Sequence, residues 1–259
     1  IYIVTARITL VATLLSFYCF REFKSEIKLD YLLKGSWTGF LAIFIPGWTF
    51  IYALKDISAG LQSIFISTIP MFTIFWVYFF YKEENITKSK VSSVLIGLIG
   101  LTALFSSGAT GLSNDGNLFL GGSLALIGVQ GLAMANITNK KDSQYIPAKT
   151  YLLTQWIFAS FLSIILFFFL DGKIEPLTTN NLSLLFGLVF IDIFNYSLFF
   201  YTIKRLSATF TSLVDYVVPI FGIYLGYVFL DEIVNNVFYF TLSMIFISLF
   251  VAVKGESKI

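Results

Sequence analysis

Long stretches without a charged residue alternate with short charged breaks along the whole chain. Charge-free runs cover residues 35–54, 57–81, 91–114, 116–139, 150–170 and 233–253. Two further runs hold one acid each, 181–203 around Asp192 and 206–230 around Asp215. The opening run to Phe20 holds one base, Arg7. A helix crosses the hydrocarbon core of a bilayer with about 20 mainly apolar residues. Every run meets or approaches that length, so the pattern predicts nine transmembrane helices. The longest break, residues 21–34, leaves no room for a soluble domain.

Small residues punctuate the runs, for instance Gly97 and Gly100, and Gly121, Gly122, Gly128 and Gly131. They let membrane helices approach closely. Composition agrees: 57% of residues are hydrophobic, 12% are charged, and Phe alone occurs 30 times. Ordinary soluble domains carry about 25% charged residues, and this much apolar surface would aggregate in water.

The placement of charge carries more than its net value of +2. Numbering the breaks in order, the odd breaks and the C-terminal tail hold fourteen Lys and Arg, and the even breaks hold two, Lys55 and Lys173. Positive residues mark the cytoplasmic side, which predicts a cytoplasmic C-terminus and an external N-terminal end for the visible chain. The absence of histidine removes histidine triads, metal sites and proton switches. The single cysteine, Cys19, permits no internal disulfide. No paired acids suggest catalysis and no basic run with interleaved aromatics suggests nucleic acid. No cofactor, metal or enzymatic activity is expected.

Two segments resemble each other 149 residues apart. YALKDISAGLQSIFISTIPMFTIFWVYFFYKEE starts at Tyr52, and YTIKRLSATFTSLVDYVVPIFGIYLGYVFLDEI starts at Tyr201. Without gaps, Tyr52 matches Tyr201, Lys55 matches Lys204, Ser58 and Ala59 match Ser207 and Ala208, and Ser63 matches Ser212. Pro70 matches Pro219, Phe72 matches Phe221, and Glu83 matches Glu232. The topology places Lys55 outside and Lys204 inside, so the repeat is inverted, the plan from which many transporters build alternating states. The expected halves are residues 1–114 and 115–259. The second half has five spans and the first has four. The first residue is Ile1, and no signal-peptide flanks are visible. The expectation is a ten-helix protein whose first helix precedes this sequence, with both ends cytoplasmic.

These two segments, together with VTARITLVATLL near the start, resemble the EamA-type ten-helix permeases of the drug/metabolite transporter superfamily. The carried pattern is a tyrosine at a helix end, a basic residue, a small-residue turn, and a helix with a central proline that ends at an acid. Arg7 resembles an arginine often found on the family's second helix. The resemblance implies an all-α integral membrane protein, an inverted-repeat helical bundle, working as a carrier in the bacterial inner (plasma) membrane. It implies a small-molecule substrate such as an amino acid or a similar amphipathic solute, drugs included, moved out of or into the cell; of the two directions, export is the one expected here.

Ionisable groups inside spans are costly and mark pathways. Asp215 precedes Pro219 by four residues, one helical turn. Within a continuous helix, Pro219 would free the Asp215 carbonyl beside its carboxylate. Asp192, with Asn195 and Tyr196 one turn on, makes a polar stripe, and Arg7 can pair with either acid or bind a substrate carboxylate. Each of these also fits a structural hydrogen bond, an interface position or snorkelling. Trp48, Tyr52, Gln130 and Tyr216 are candidate lining residues among many aromatics that face lipid. Pro46, Gly47, Pro70 and Pro219 are candidate hinge or gate positions. The acids Glu83 and Glu84, and Asp231 and Glu232, read as boundary charges that hold helix ends out of lipid.

The function expected is secondary transport by alternating access, with the lipid bilayer as surroundings, protons as a candidate coupling ion, no nucleic-acid partner, and a monomer or homodimer as the unit. A channel, a membrane-embedded lipid enzyme and a non-transporting scaffold remain open beside it.

Overall fold

The computed structural model describes residues 2–26, 28–80, 87–113, 116–170, 172–173, 178–206, 211, 215 and 217–256. The elements, in order, are α1 (Tyr2–Glu26), α2 (Leu29–Gly39), a π-helical segment (Phe40–Phe44), α3 (Ile45–Ala53), α4 (Ala59–Ile66), α5 (Ile69–Phe80) and α6 (Lys88–Ser107). They continue with α7 (Leu118–Asp142), α8 (Ala148–Phe169), α9 (Thr179–Ile203), α10 (Val218–Leu230) and α11 (Asn236–Glu256). No strand occurs among the described residues. Among the described residues, eight helical stretches are long and apolar enough to cross a membrane, and α10 is a shorter apolar helix. The chain is an integral membrane helical bundle.

Local chemistry sets the helix ends. Ser58, Thr87 and Thr178 cap α4, α6 and α9, their hydroxyls accepting from the amides of Leu61, Lys90 and Asn181. Gly108 closes α6 at φ 68°, a left-handed position suited to glycine. Large apolar side chains such as Phe168, Phe190, Phe229 and Phe250 stand exposed, as hydrocarbon permits.

The 206–230 run departs from its expectation. Pro219 lies in the first turn of α10, after Val217 as N-cap, instead of inside a long helix. There its missing N–H would have found no helical partner anyway, so it does not free a mid-helix carbonyl at Asp215. The 57–81 run is likewise divided, by a turn at Ser67 and Thr68 before Pro70.

Helix starts recur at the 149-residue spacing. Ile69 maps to Val218, where α10 begins; Lys88 maps to 237, one residue into α11; Leu29 maps to 178, one residue before α9.

The chain forms two compact units. One comprises residues 1–48 and 138–207, the other 49–137 and 208–259. In the first unit α1 packs along α8, α1 also meets α9, and α8 meets α2 and the π segment. Its closest approach is at Gly39, where a Cβ would come within 2.3 Å of the Gln155 carbonyl oxygen. In the second unit α6 packs along α11, and α4 packs against α10. Its core gathers Ile57, Leu61, Phe65, Leu104, Val129 and Phe238.

The acid at the end of α10 does more than mark a boundary. Glu232 accepts the Ala59 amide at 2.7 Å through Oε1 and the Gly60 amide at 2.8 Å through Oε2. Both amides belong to the first turn of α4, where helix geometry gives them no partner within the helix. Glycines on α10 allow this approach: a Cβ at Gly226 would meet Glu232 Oε2 at 2.2 Å, and one at Gly222 would meet the Ser63 side chain at 2.3 Å. Glu83 and Glu84 lie outside the described residues.

Candidate functional site

The first unit holds an ion pair between helices. Arg7, in α1, places Nε 2.9 Å from Asp192 Oδ2, in α9. Their side chains are 34% and 16% exposed. The carboxylate and guanidinium compensate each other, which an apolar medium demands of any charge it surrounds. Of the two acids open to Arg7 in the sequence, Asp192 is the partner.

One turn further along α9, the Tyr196 hydroxyl donates to the Ala42 carbonyl at 3.1 Å. The sequence explains why that carbonyl needs a donor. In a regular helix Ala42 would accept from residue 46, and Pro46 has no N–H. The helix widens into the π segment just before the proline, with the Ile45 amide bonded to the Phe40 carbonyl five residues back. Tyr196 then supplies the missing donor from a neighbouring helix. Its ring packs edge-on against Trp156 of α8, with centroids 5.1 Å apart. Trp48 is buried and donates its indole N–H to the Ser163 hydroxyl at 3.1 Å. Ser160 donates to Thr9 at 3.2 Å. α1, the π segment, α3, α8 and α9 are thus linked by polar contacts within the first unit. Gly47 sits beside Ile8, where an added Cβ would come within 3.3 Å.

The same unit has a second polar cluster, near the end of α7. Asp142 is buried and accepts from the hydroxyls of Tyr145 and of Tyr151, the latter at 3.2 Å. Tyr151 also shares a 2.8 Å hydrogen bond with Thr38, and Gln155 donates to Asn139 at 3.0 Å. Tyr145 lies in the loop between α7 and α8; burial, followed by the bond to Asp142, holds its hydroxyl protonated above the ordinary tyrosine value.

The remaining candidates fall elsewhere. Asn195 is exposed. Tyr52 is half-buried at the end of α3 and lies under the Lys55 ammonium, 4.5 Å from the ring centroid. Tyr201 holds Arg205 in the same way at 3.7 Å. These are cation–π contacts at helix ends. In the second unit Gln130 accepts from the Trp76 indole. Asp215 is half-buried, three residues ahead of α10 and within that unit. Tyr216 lies outside the described residues. Pro70 opens α5.

The sequence did not point to Ser163, Ser160, Thr9 or Asp142. Single hydroxyls in apolar runs are common, and only the packing shows which of them face one another. The tyrosine partner of Ala42 left a faint signal, a proline mid-run whose freed carbonyl required a donor. No group of three or more His, Cys, Asp or Glu that could hold a metal occurs among the described residues.

Comparison with known proteins gives the same class. The model of the EamA-like transporter family matches residues 1–106 and again 119–254. A chloroplastic WAT1-related protein of Arabidopsis thaliana is 26% identical over 188 residues, which cover 69% of this chain and 44% of that protein. The chain therefore matches less than half the length of this curated relative. A solved crystal structure covers 99% of this chain and 88% of its own, with a TM-score of 0.67 at 14% identity, a likeness of fold. With the family's model matched over nearly the whole chain, the chain belongs to the EamA-like transporter family.

Proposed function

We propose that the chain exports a small amphipathic solute, an amino acid or a molecule with a similar charge pattern, as a secondary carrier with alternating access. The observation that carries this reading is the Arg7–Asp192 pair, which joins the first part of α1 to the middle of α9, two apolar helices. A zwitterion can offer its carboxylate to the guanidinium and its ammonium to Asp192. The charges are then paired with each other when the carrier is empty and with substrate when it is loaded, so neither state leaves a bare charge in low dielectric. Planar, bidentate recognition of carboxylate suits Arg. The aromatic pair of Tyr196 and Trp156 one turn away offers apolar surface for the rest of the solute.

The inverted repeat of residues 1–114 and 115–259 supports alternating access, and the recurrence of helix starts at 149 residues supports the repeat. The charge distribution supports a cytoplasmic C-terminus in a bacterial inner membrane. Asp215 is the proposed proton-coupling group. Coupling requires that its two protonation states favour different conformations.

The test is counterflow in proteoliposomes loaded with amino acids, comparing the parent with Arg7→Gln and Asp192→Asn. A carrier accelerates labelled uptake when its lumen is preloaded, and both variants lose that acceleration. Flux without counterflow would assign a channel. No flux above empty liposomes would return the scaffold and lipid-enzyme readings. Everted vesicles energised with a proton gradient check the direction, and indifference to pH together with full activity of Asp215→Asn would remove the proton from the scheme.

A further inference from the structure

Glu232 joins two helices by the strongest contact that a side chain can make with a helix start. Its carboxylate takes two adjacent amides of α4, at 2.7 and 2.8 Å, and the Ser58 hydroxyl takes the amide of Leu61. Two backbone bonds complete the knot. The Ser58 amide donates to the Thr110 carbonyl at 2.9 Å, and the Ile233 amide donates to the Gly111 carbonyl at 2.9 Å. Gly111, at φ 76°, leaves no room for a Cβ, which would lie 2.3 Å from the Ser58 hydroxyl. Three loops at one end of the second unit, those after α3, α6 and α10, are thereby held together by few atoms. Asp231, just before the clamp, adopts φ 52°, a left-handed conformation unusual for a residue with a side chain.

We propose that Glu232 is a positioning residue that latches the α4 start to the end of α10, and that release of this latch opens that end of the second unit during transport. The latch is one side chain on two adjacent backbone amides, so a single carboxylate makes or releases it. Losing the carboxylate forfeits charge-assisted bonds, and the amides of α4 must then find water. This inference rests on the carrier reading for its role in transport. The charge distribution assigns these loops, which carry Lys55 as their one base, to the external face.

The experiment uses the full chain with Cys19→Ser and Thr110→Cys, so that one thiol reports on the knot. A membrane-impermeant maleimide is applied to intact cells and, separately, to inside-out vesicles. Glu232→Gln is expected to raise labelling about tenfold, the shift produced by losing one charge-assisted hydrogen bond, from the external side only. Glu232→Asp, which keeps the charge on a shorter arm, is expected to give an intermediate rate. Unchanged labelling in Glu232→Gln, with the protein folded by its melting temperature, overturns the latch and leaves a static helix cap. Increased labelling from the cytoplasmic side keeps the latch and overturns the topology. Increased labelling in a protein whose parent shows no flux or counterflow keeps the latch and overturns the carrier reading instead.

Discussion

Pro46 and Pro70 both fall inside predicted helical runs, and their surroundings solve the interruption differently. Before Pro46 the helix stays continuous by widening into a π segment, and the Ala42 carbonyl is completed by Tyr196 from α9. Before Pro70 the helix stops. Ser67 and Thr68 form a turn and donate their hydroxyls to the carbonyls of Ile64 and Phe65 at 2.7 and 2.6 Å. The hydrogen bonds that seal the second break come from its own side chains. The first is sealed from outside, so α9 cannot move relative to the π segment without exposing a backbone group. A break completed by a neighbour ties two helices by a hydrogen bond; a break completed locally leaves that tie to packing alone.

That contrast can be pressed from its strongest point to its weakest. The largest effect is expected from separating Arg7 and Asp192, which lie on the same helices that Tyr196 and its neighbours join. Arg7→Gln or Asp192→Asn should lower transport on the order of 100-fold, since removing one partner leaves the other charge unpaired at a cost of about 3–5 kcal/mol. Exchanging the two residues should recover part of the loss in a counterflow assay. Gly39→Val comes next. Its side chain would meet the Gln155 backbone, which cannot swing aside as a side chain can, and overpacking typically costs about 1–3 kcal/mol, read as a lower melting temperature in detergent.

Tyr196→Phe should cost about 1–3 kcal/mol by orphaning the Ala42 carbonyl. Pro46→Ala restores a backbone donor, so the double variant should lose less than Tyr196→Phe alone, with a coupling of about 1 kcal/mol in a double-mutant cycle. Additive effects would show that the hydroxyl does not serve the proline break. Ser67→Ala should cost less, about 0.5–1.5 kcal/mol, and its effect should be additive with Tyr196→Phe. The smallest effect belongs to Lys55→Gln, which removes an exposed cation–π contact worth about 0.5–1 kcal/mol.

Much of the fold was legible because a bilayer imposes a length on every crossing and punishes every charge. The runs, the alternation of basic breaks and the repeat spacing followed from that. The places where a run hid two short helices were not legible, since Ser67 and Thr68 read as ordinary small residues in an apolar stretch. In the sequence Pro219 reads as lying inside a helix continuous with Asp215, whereas it lies in the first turn of α10, because its place depends on where the helix starts, which hydropathy does not mark. Among site residues, Arg7 and Asp192 stood out by charge alone, and Tyr196 followed as the next turn of the same stripe. Glu232 was visible as a charge and misread in role, because its partners are backbone amides, which no sequence distinguishes. Ser163 and Ser160 became meaningful only when Trp48 and Thr9 were placed beside them.

The division into compact units has a consequence for cutting the chain. The first unit draws one stretch from either side of residues 114–115, the second unit's 49–137 stretch runs through them, and α6 packs on α11 and α1 on α8 across that boundary. Severing the chain between residues 114 and 115 would produce two fragments, neither of which owns a complete unit. Expressed singly, each should be degraded in the membrane with its interior faces bare. Expressed together, they should find each other and restore flux, because the contacts that build each unit are made between the fragments.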